Sequence, residues 1–150
     1  MSGPSDVLVV EDNPEDLALT LRALGKAGLD SRIEVLRDGA ELLDYLGLGK
    51  GQSPDRPPRP PHLIVMDLKM PKVDGLEVLE RLKGDARTKS IPVVILTSSA
   101  ERSDIRRSYF LGANSYVVKP VEFEQFARTV QQIGHYWLNV SQSARLGDSP

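Results

Sequence analysis

The chain contains no cysteine, so disulfides, thiol catalysis and thiolate metal sites are excluded. Its two histidines, His62 and His135, lie far apart in sequence and leave little for a zinc or haem site. Any metal should be a hard cation held by oxygen. Long hydrophobic runs are missing too. The longest aliphatic stretches are four residues, Val7 to Val10, Leu63 to Met66 and Val93 to Leu96, whereas a membrane helix needs about twenty and a signal peptide core at least about seven. The chain therefore reads as cytoplasmic, with no membrane partner. Nor is there a surplus of one charge: 19 basic against 21 acidic residues give a net charge of −2. Without a basic block, a nucleic-acid partner is disfavoured.

What is present is one domain's worth of chain. At 150 residues, such a chain buries roughly 70% of the surface its unfolded form exposes. Four short aliphatic segments, Asp6 to Val10, Leu63 to Met66, Val93 to Leu96 and Ser115 to Val118, lack polar alternation. They read as strands buried on both faces. A weaker fifth, Ser31 to Leu36, alternates through Ile33 and Val35 and suits an edge.

Helical patterns fill the gaps. Leu17, Leu21 and Leu24 follow an Asn13-Pro14 start and precede Gly28. Ala40, Leu43 and Leu46 follow Asp38-Gly39, and Leu76, Leu79 and Leu82 follow Asp74-Gly75. Glu101 to Gly112 is more polar, with Ile105 and Tyr109 as its apolar positions. The last stripe, Phe123, Phe126, Val130, Ile133 and Trp137, is the clearest. Strands alternating with helices imply an α/β domain, a parallel sheet with helices on both faces.

The segment Gly47 to Pro61 interrupts this rhythm with three glycines in its first five residues and five prolines from Pro54 onward. It reads as a loop, stiff in its second half. Its glycines follow a helix and lack phosphate-loop spacing. The domain is expected over residues 6–140, with the insert at 47–62 and tails at 1–5 and 141–150.

A parallel sheet presents all its strand carboxyl ends at one edge, where such folds bind ligands. The first strand ends in Glu11-Asp12, the third in Asp67, the fourth in Thr97-Ser98 and the fifth in Lys119-Pro120. Each alone has a bland reading: a helix cap, a turn residue, a strand-end hydroxyl, a solvated lysine. Together they are three carboxylates, a hydroxyl and an ammonium meeting at one edge. Two like charges at about 4 Å repel by roughly 4 kcal/mol at an effective dielectric near 20. Three carboxylates less one ammonium leave a charge that one divalent cation balances, and oxygen ligands at a wet edge suit Mg²⁺. An aspartate beside Mg²⁺ and lysine, with a hydroxyl nearby, is arranged to accept a phosphoryl group.

The stretches Val7-Leu-Val-Val-Glu-Asp-Asn13, Leu63-Ile-Val-Met-Asp-Leu-Lys-Met-Pro-Lys-Val-Asp-Gly75, Pro92-Val-Val-Ile-Leu-Thr-Ser98 and Gly112-Ala-Asn-Ser-Tyr-Val-Val-Lys-Pro120 resemble the receiver domains of two-component response regulators. The resemblance implies a flavodoxin-like doubly wound (βα)5 fold with strand order 2-1-3-4-5. It implies Asp67 as phosphoacceptor, Glu11 and Asp12 as the acidic Mg²⁺ pair together with Asp67, and the Lys69 backbone carbonyl as a further metal contact. Thr97 would sense the phosphoryl group, Lys119 would pair with it, Lys119-Pro120 would be a cis peptide, and Tyr116 would be the aromatic switch. Lys69 and Ser99 stand at two positions where the family tunes phosphoryl lifetime.

The insert and the long last helix resemble stand-alone regulators paired with phytochrome-type histidine kinases. The partners implied are a sensor histidine kinase, of the bacteriophytochrome type, and a second copy of the chain docked through the last helix, Tyr109, Phe110 and Tyr136. Only twenty-nine residues follow Val121, so an output domain is not expected. The protein would then be a signalling module and not a conventional enzyme, acting through a switched surface or as a relay or sink for phosphate. An aspartyl-nucleophile phosphatase would need a second aspartate at position 69, which is Lys. A flavin mononucleotide carrier is disfavoured by carboxylates where a phosphate loop should sit, and a degenerate receiver by the intact chemical positions.

Overall fold

The computed structural model describes residues 7–26, 28, 32–49, 61–119 and 123–135. Five strands, β1 (Val7–Val10), β2 (Ile33–Leu36), β3 (Leu63–Met66), β4 (Val93–Thr97) and β5 (Ser115–Val118), alternate with five helices. These are α1 (Pro14–Lys26), α2 (Gly39–Tyr45), α3 (Gly75–Gly84), α4 (Arg102–Phe110) and α5 (Phe123–His135). The sheet is parallel throughout with order β2-β1-β3-β4-β5, as the receiver resemblance implies. Every residue of β1, β3 and β4 is buried, as expected of strands covered on both faces.

β5 departs from that expectation, since all four of its residues are only half-buried. It lies at the edge of the sheet, where one flank lacks a neighbouring strand, as the order implied by the receiver resemblance requires, and only Val117 and Val118 of its four residues are aliphatic. β2, at the opposite edge, shows the exposure its alternation predicted.

Strand pleating divides the core in two. Leu8, Val10, Ile64, Met66, Val93 and Ile95 pack with the buried faces of α2 and α3, including Leu42, Leu43, Leu76 and Leu79. Val7, Val9, Leu63, Val65, Val94 and Leu96 face Ala23 and Leu24 of α1 and Ala127 of α5. The stripe foreseen for α3 is thus the packed one, whereas α1 buries Thr20 and Ala23 beside Leu24 in place of Leu21, and α2 buries Leu42 more deeply than Ala40.

α4 behaves differently from its sequence pattern. Its sole buried residue is Ser108; Ile105 is half-buried, and Tyr109 and Phe110 are exposed by 49% and 89%. In α5 the side chains of Phe123, Phe126, Val130 and Ile133, and all of Tyr136 and Trp137, lie outside the described residues, as do Pro120 and residues 50–60 of the insert. The start of the insert is anchored: Leu48 is buried, its N–H donates to Leu43 O at 2.7 Å, and its carbonyl accepts from the Arg81 guanidinium.

The loop after β3 is held close. Gly75 opens α3 with its N–H donating to Leu68 O at 2.9 Å, and a Cβ there would lie 2.6 Å from Leu68 Cα and 2.7 Å from Asp67 O. Only glycine allows α3 to start this near β3. Lys72, at φ +70°, turns the same loop and lays its ammonium 3.4 Å from Asp38, the N-cap of α2.

Gly75→Ala should therefore lower stability by about 1–3 kcal/mol through overpacking against backbone. Gly84→Ala, with nothing within 4 Å of its added methyl, should be neutral or stabilising by up to about 1 kcal/mol. Urea unfolding of both variants checks this; equal losses would refute the close-approach argument.

Candidate functional site

The sheet's hydrogen-bond ladder runs past the last strand residues and sets the site in place. Glu11 N–H donates to Leu36 O at 3.0 Å, Asp67 N–H to Val10 O at 3.4 Å and Lys119 N–H to Thr97 O at 2.6 Å. Because β1 and β3 pair with Val10 opposite Met66, the residues that follow, Glu11 and Asp67, come out side by side. Parallel pairing makes this unavoidable.

Lys119 joins them. Its ammonium donates to Glu11 Oε1 at 2.9 Å, Asp16 Oδ2 at 2.9 Å and Asp67 Oδ2 at 3.2 Å. The lysine, Glu11 and Asp67 are all buried, and Asp16 is partly open at 39%. The other carboxylate oxygens are held by backbone: Asp67 Oδ1 accepts from Lys69 N–H at 3.1 Å, and Glu11 Oε2 from Asn13 N–H at 3.2 Å. Asn13 also caps α1, its Oδ1 accepting from Asp16 N–H at 2.9 Å.

Three carboxylates share one ammonium, and the titration of Lys119 and Glu11 follows from that inequality. Burial works against the charge on Lys119, but the hydrogen bonds to Glu11 and Asp16 and the attraction of Asp67 outweigh it and raise its pKa. Glu11 is also raised, chiefly by burial and further by repulsion from Asp67, because its share of one cation does not offset the loss of water. Stability linked to Glu11 is accordingly present below its ordinary value of 4.5 and lost as pH rises through the higher folded value. Ionising Glu11 without further positive charge opposes folding.

Asp16 was not among the sequence candidates. It sits in the first turn of α1 rather than at a strand end, and its signal was its place three residues after the capping Asn13, where a helix turns an acidic side chain back toward its own start. Asp12, by contrast, is exposed. Among the described residues no three carboxylate or imidazole side chains converge as a closed metal cage. What the site offers a cation is oxygen donors and two uncompensated negative charges at an open edge, which fits a hydrated hard ion.

Thr97 is fully buried at the end of β4, and its Oγ1 accepts from Ser99 N–H at 3.4 Å. Tyr116 is half-buried against the core, with its hydroxyl donating to Ser99 O at 2.8 Å. His62 and His135 lie away from these residues in the fold: one precedes β3 at the opposite end of the sheet, the other closes α5.

Comparison with known proteins gives one consistent result. The family model described as "Response regulator receiver domain" matches residues 7–131. Among curated relatives, the probable methanogenesis regulatory protein FilR2 of Methanothrix harundinacea is 44% identical, covering 93% of this chain and 88% of its own. Response regulator Rcp1 of Synechocystis is 36% identical over 90% of each. Among solved structures, the phosphorylated cyanobacterial phytochrome response regulator RcpA superposes with TM-score 0.76 at 35% identity, covering 92% of this chain and 96% of that one. The Mn²⁺-bound form of Rcp1 gives 0.75 at 36%, with 91% and 96% covered. The bacteriophytochrome response regulator AtBRR gives 0.69 at 52%, with 87% and 93% covered.

The shared ammonium predicts a strong non-additivity. In chelator, Lys119→Met should cost about 3–5 kcal/mol, because buried carboxylates lose their counter-charge. Asp67→Asn should cost little or stabilise, and the double variant should recover a good part of the lysine's loss. Urea unfolding of the four proteins measures the coupling, and additive effects would show that Asp67 and Lys119 do not share a charge.

Proposed function

Because the chain belongs to the response regulator receiver family, we propose that it is a stand-alone, cytoplasmic regulator that accepts a phosphoryl group on Asp67 from a sensor histidine kinase of the phytochrome type. The observation that carries this reading is the buried Lys119 ammonium 3.2 Å from Asp67 Oδ2, with the buried Thr97 hydroxyl at the end of the next strand. Support for the kinase class comes from the relatives, among them proteins described as a cyanobacterial phytochrome response regulator and a bacteriophytochrome response regulator.

In the transfer, an Asp67 carboxylate oxygen bonds to phosphorus as the phosphorus–nitrogen bond of the kinase phosphohistidine breaks, and the imidazole leaves with the electron pair and takes up a proton. Lys119 holds the Asp67 carboxylate in place and neutralises charge on the arriving oxygens. Glu11, Asp12, Asp67 and the Lys69 carbonyl would hold Mg²⁺, whose bound charge would screen the phosphoryl oxygens from the carboxylates. Thr97 then donates its hydroxyl to the new group, which withdraws it from Ser99 N–H. Tyr116, tied to the carbonyl of the same Ser99, is thereby coupled to the event. A hydrogen bond to a charged oxygen is worth about 1.5–3 kcal/mol, enough to shift a two-state loop roughly ten-fold or more. No helix among the described residues is long and apolar enough to cross a membrane.

The surface that this coupling reaches is α4 with β5. There the exposed Tyr109 and Phe110 support docking of a second copy of the chain, of the aromatic-rich kind seen at interfaces.

Incubation with acetyl phosphate and Mg²⁺ should add one phosphoryl group by intact mass, and none in chelator or in Asp67→Asn. An adduct that persists in Asp67→Asn would overturn the assignment.

A further inference from the structure

The Lys119 ammonium has three N–H donors and gives one to each of three carboxylates, at 2.9 Å to Glu11, 2.9 Å to Asp16 and 3.2 Å to Asp67. Those carboxylates differ in setting. Glu11 and Asp67 are buried at strand ends, whereas Asp16 is 39% exposed in the first turn of α1. A single residue fixes Glu11 and Asp16 relative to each other: Asn13 donates its N–H to Glu11 Oε2 at 3.2 Å and accepts the Asp16 N–H on its Oδ1 at 2.9 Å. The start of α1 is thereby tied to the site, and Asp16 reaches the ammonium from a helix rather than from a strand end.

A cation at this edge creates a difficulty for the lysine. A carboxylate oxygen held by an ammonium is a poor metal donor, so as Glu11 and Asp67 turn to a divalent ion Lys119 gives up two of its three acceptors. Its side chain is 7% exposed, which leaves little water to replace them, and a like charge of twice its size now stands beside it. A buried ammonium without partners is costly, and the cost falls on cation binding. Asp16 removes it. Glu11 and Asp67 then set two negative charges against the two positive charges of the ion, and Asp16 sets the third against the ammonium.

We propose that Asp16 is a positioning residue for divalent-cation binding: it keeps the Lys119 ammonium paired while Glu11 and Asp67 are released to the ion. This rests on the reading of Glu11 and Asp67 as cation ligands. Asp16 acts through the lysine and not as a ligand, since its Oδ2 is held by Lys119 and its backbone by Asn13. Without it, Lys119 relies on Glu11 and Asp67 alone and competes with the cation for both.

The test titrates the unphosphorylated full chain with Mg²⁺ alone and reads the affinity from the rise of melting temperature with concentration. Asp16→Asn should weaken Mg²⁺ binding about ten-fold, the scale of one hydrogen bond to a charged group, and Asp16→Glu should recover most of the loss. Glu15→Gln, which removes an exposed carboxylate from the same helical turn, should change the affinity by less than about two-fold. In a Lys119→Met background, Asp16→Asn should do no more than Glu15→Gln does. Unchanged Mg²⁺ affinity in Asp16→Asn would overturn the proposal, as would an equal loss in Glu15→Gln, which would mean that net charge alone matters. An undiminished loss in the Lys119→Met background would also overturn it, by making Asp16 a ligand of the ion. The comparison of Asp16→Asn with Glu15→Gln keeps the native lysine and stands whether or not Lys119→Met folds. Absence of any Mg²⁺ effect on the unmodified chain would refute the reading of Glu11 and Asp67 as cation ligands, and the role of Asp16 with it.

Discussion

A buried ammonium shared among three carboxylates is the interaction on which the rest of this structure turns. Lys119 lies at the end of β5, Glu11 at the end of β1, Asp67 at the end of β3, and Asp16 in α1. One side chain therefore connects an edge strand to the middle of the sheet and to a helix. The arrangement is under-neutralised: with Glu11 and Lys119 both raised, it is a cluster that gains from further positive charge. A site balanced by a second lysine would be more stable and less responsive.

The rigidity of the site comes from the sheet. β1, β3 and β4 are buried on both faces, and the ladder continues into Glu11, Asp67 and Lys119, so the backbone of each chemical residue is fixed by its neighbours. Gly75 adds to this by letting α3 begin against the backbone of Asp67 and Leu68. Precision here is a property of main-chain pairing, with side chains only completing it.

α4 and β5 are built by the opposite rule. α4 buries a single serine, β5 is half-buried, and the loop between β4 and α4 is tied by Ser99, whose N–H, carbonyl and hydroxyl meet Thr97, Tyr116 and Asp104. A few hydrogen bonds hold what a hydrophobic stripe holds elsewhere. Segments with few buried apolar contacts are those that open at low cost. On the same helix Tyr109 and Phe110 stand exposed.

Much of this was legible in the residues themselves. Unbroken aliphatic runs and intervening helical stripes determine a parallel α/β sheet, because only a doubly covered strand tolerates apolar side chains on both faces. The clustering of Glu11, Asp67, Thr97 and Lys119 also follows from sequence, since strands running the same way must end at the same edge. Tertiary structure alone decided the rest. That all four residues of β5 stay half-open could not be read from Ser115-Tyr-Val-Val118, and Tyr109 and Phe110 of α4 face outward because helix docking depends on which neighbours leave room. Asp16 entered the site, and Asp12 stayed exposed, through the angle at which α1 leaves the sheet. Which carboxylate meets the lysine is set by where side chains point in three dimensions, and sequence spacing specifies only which main-chain ends come together.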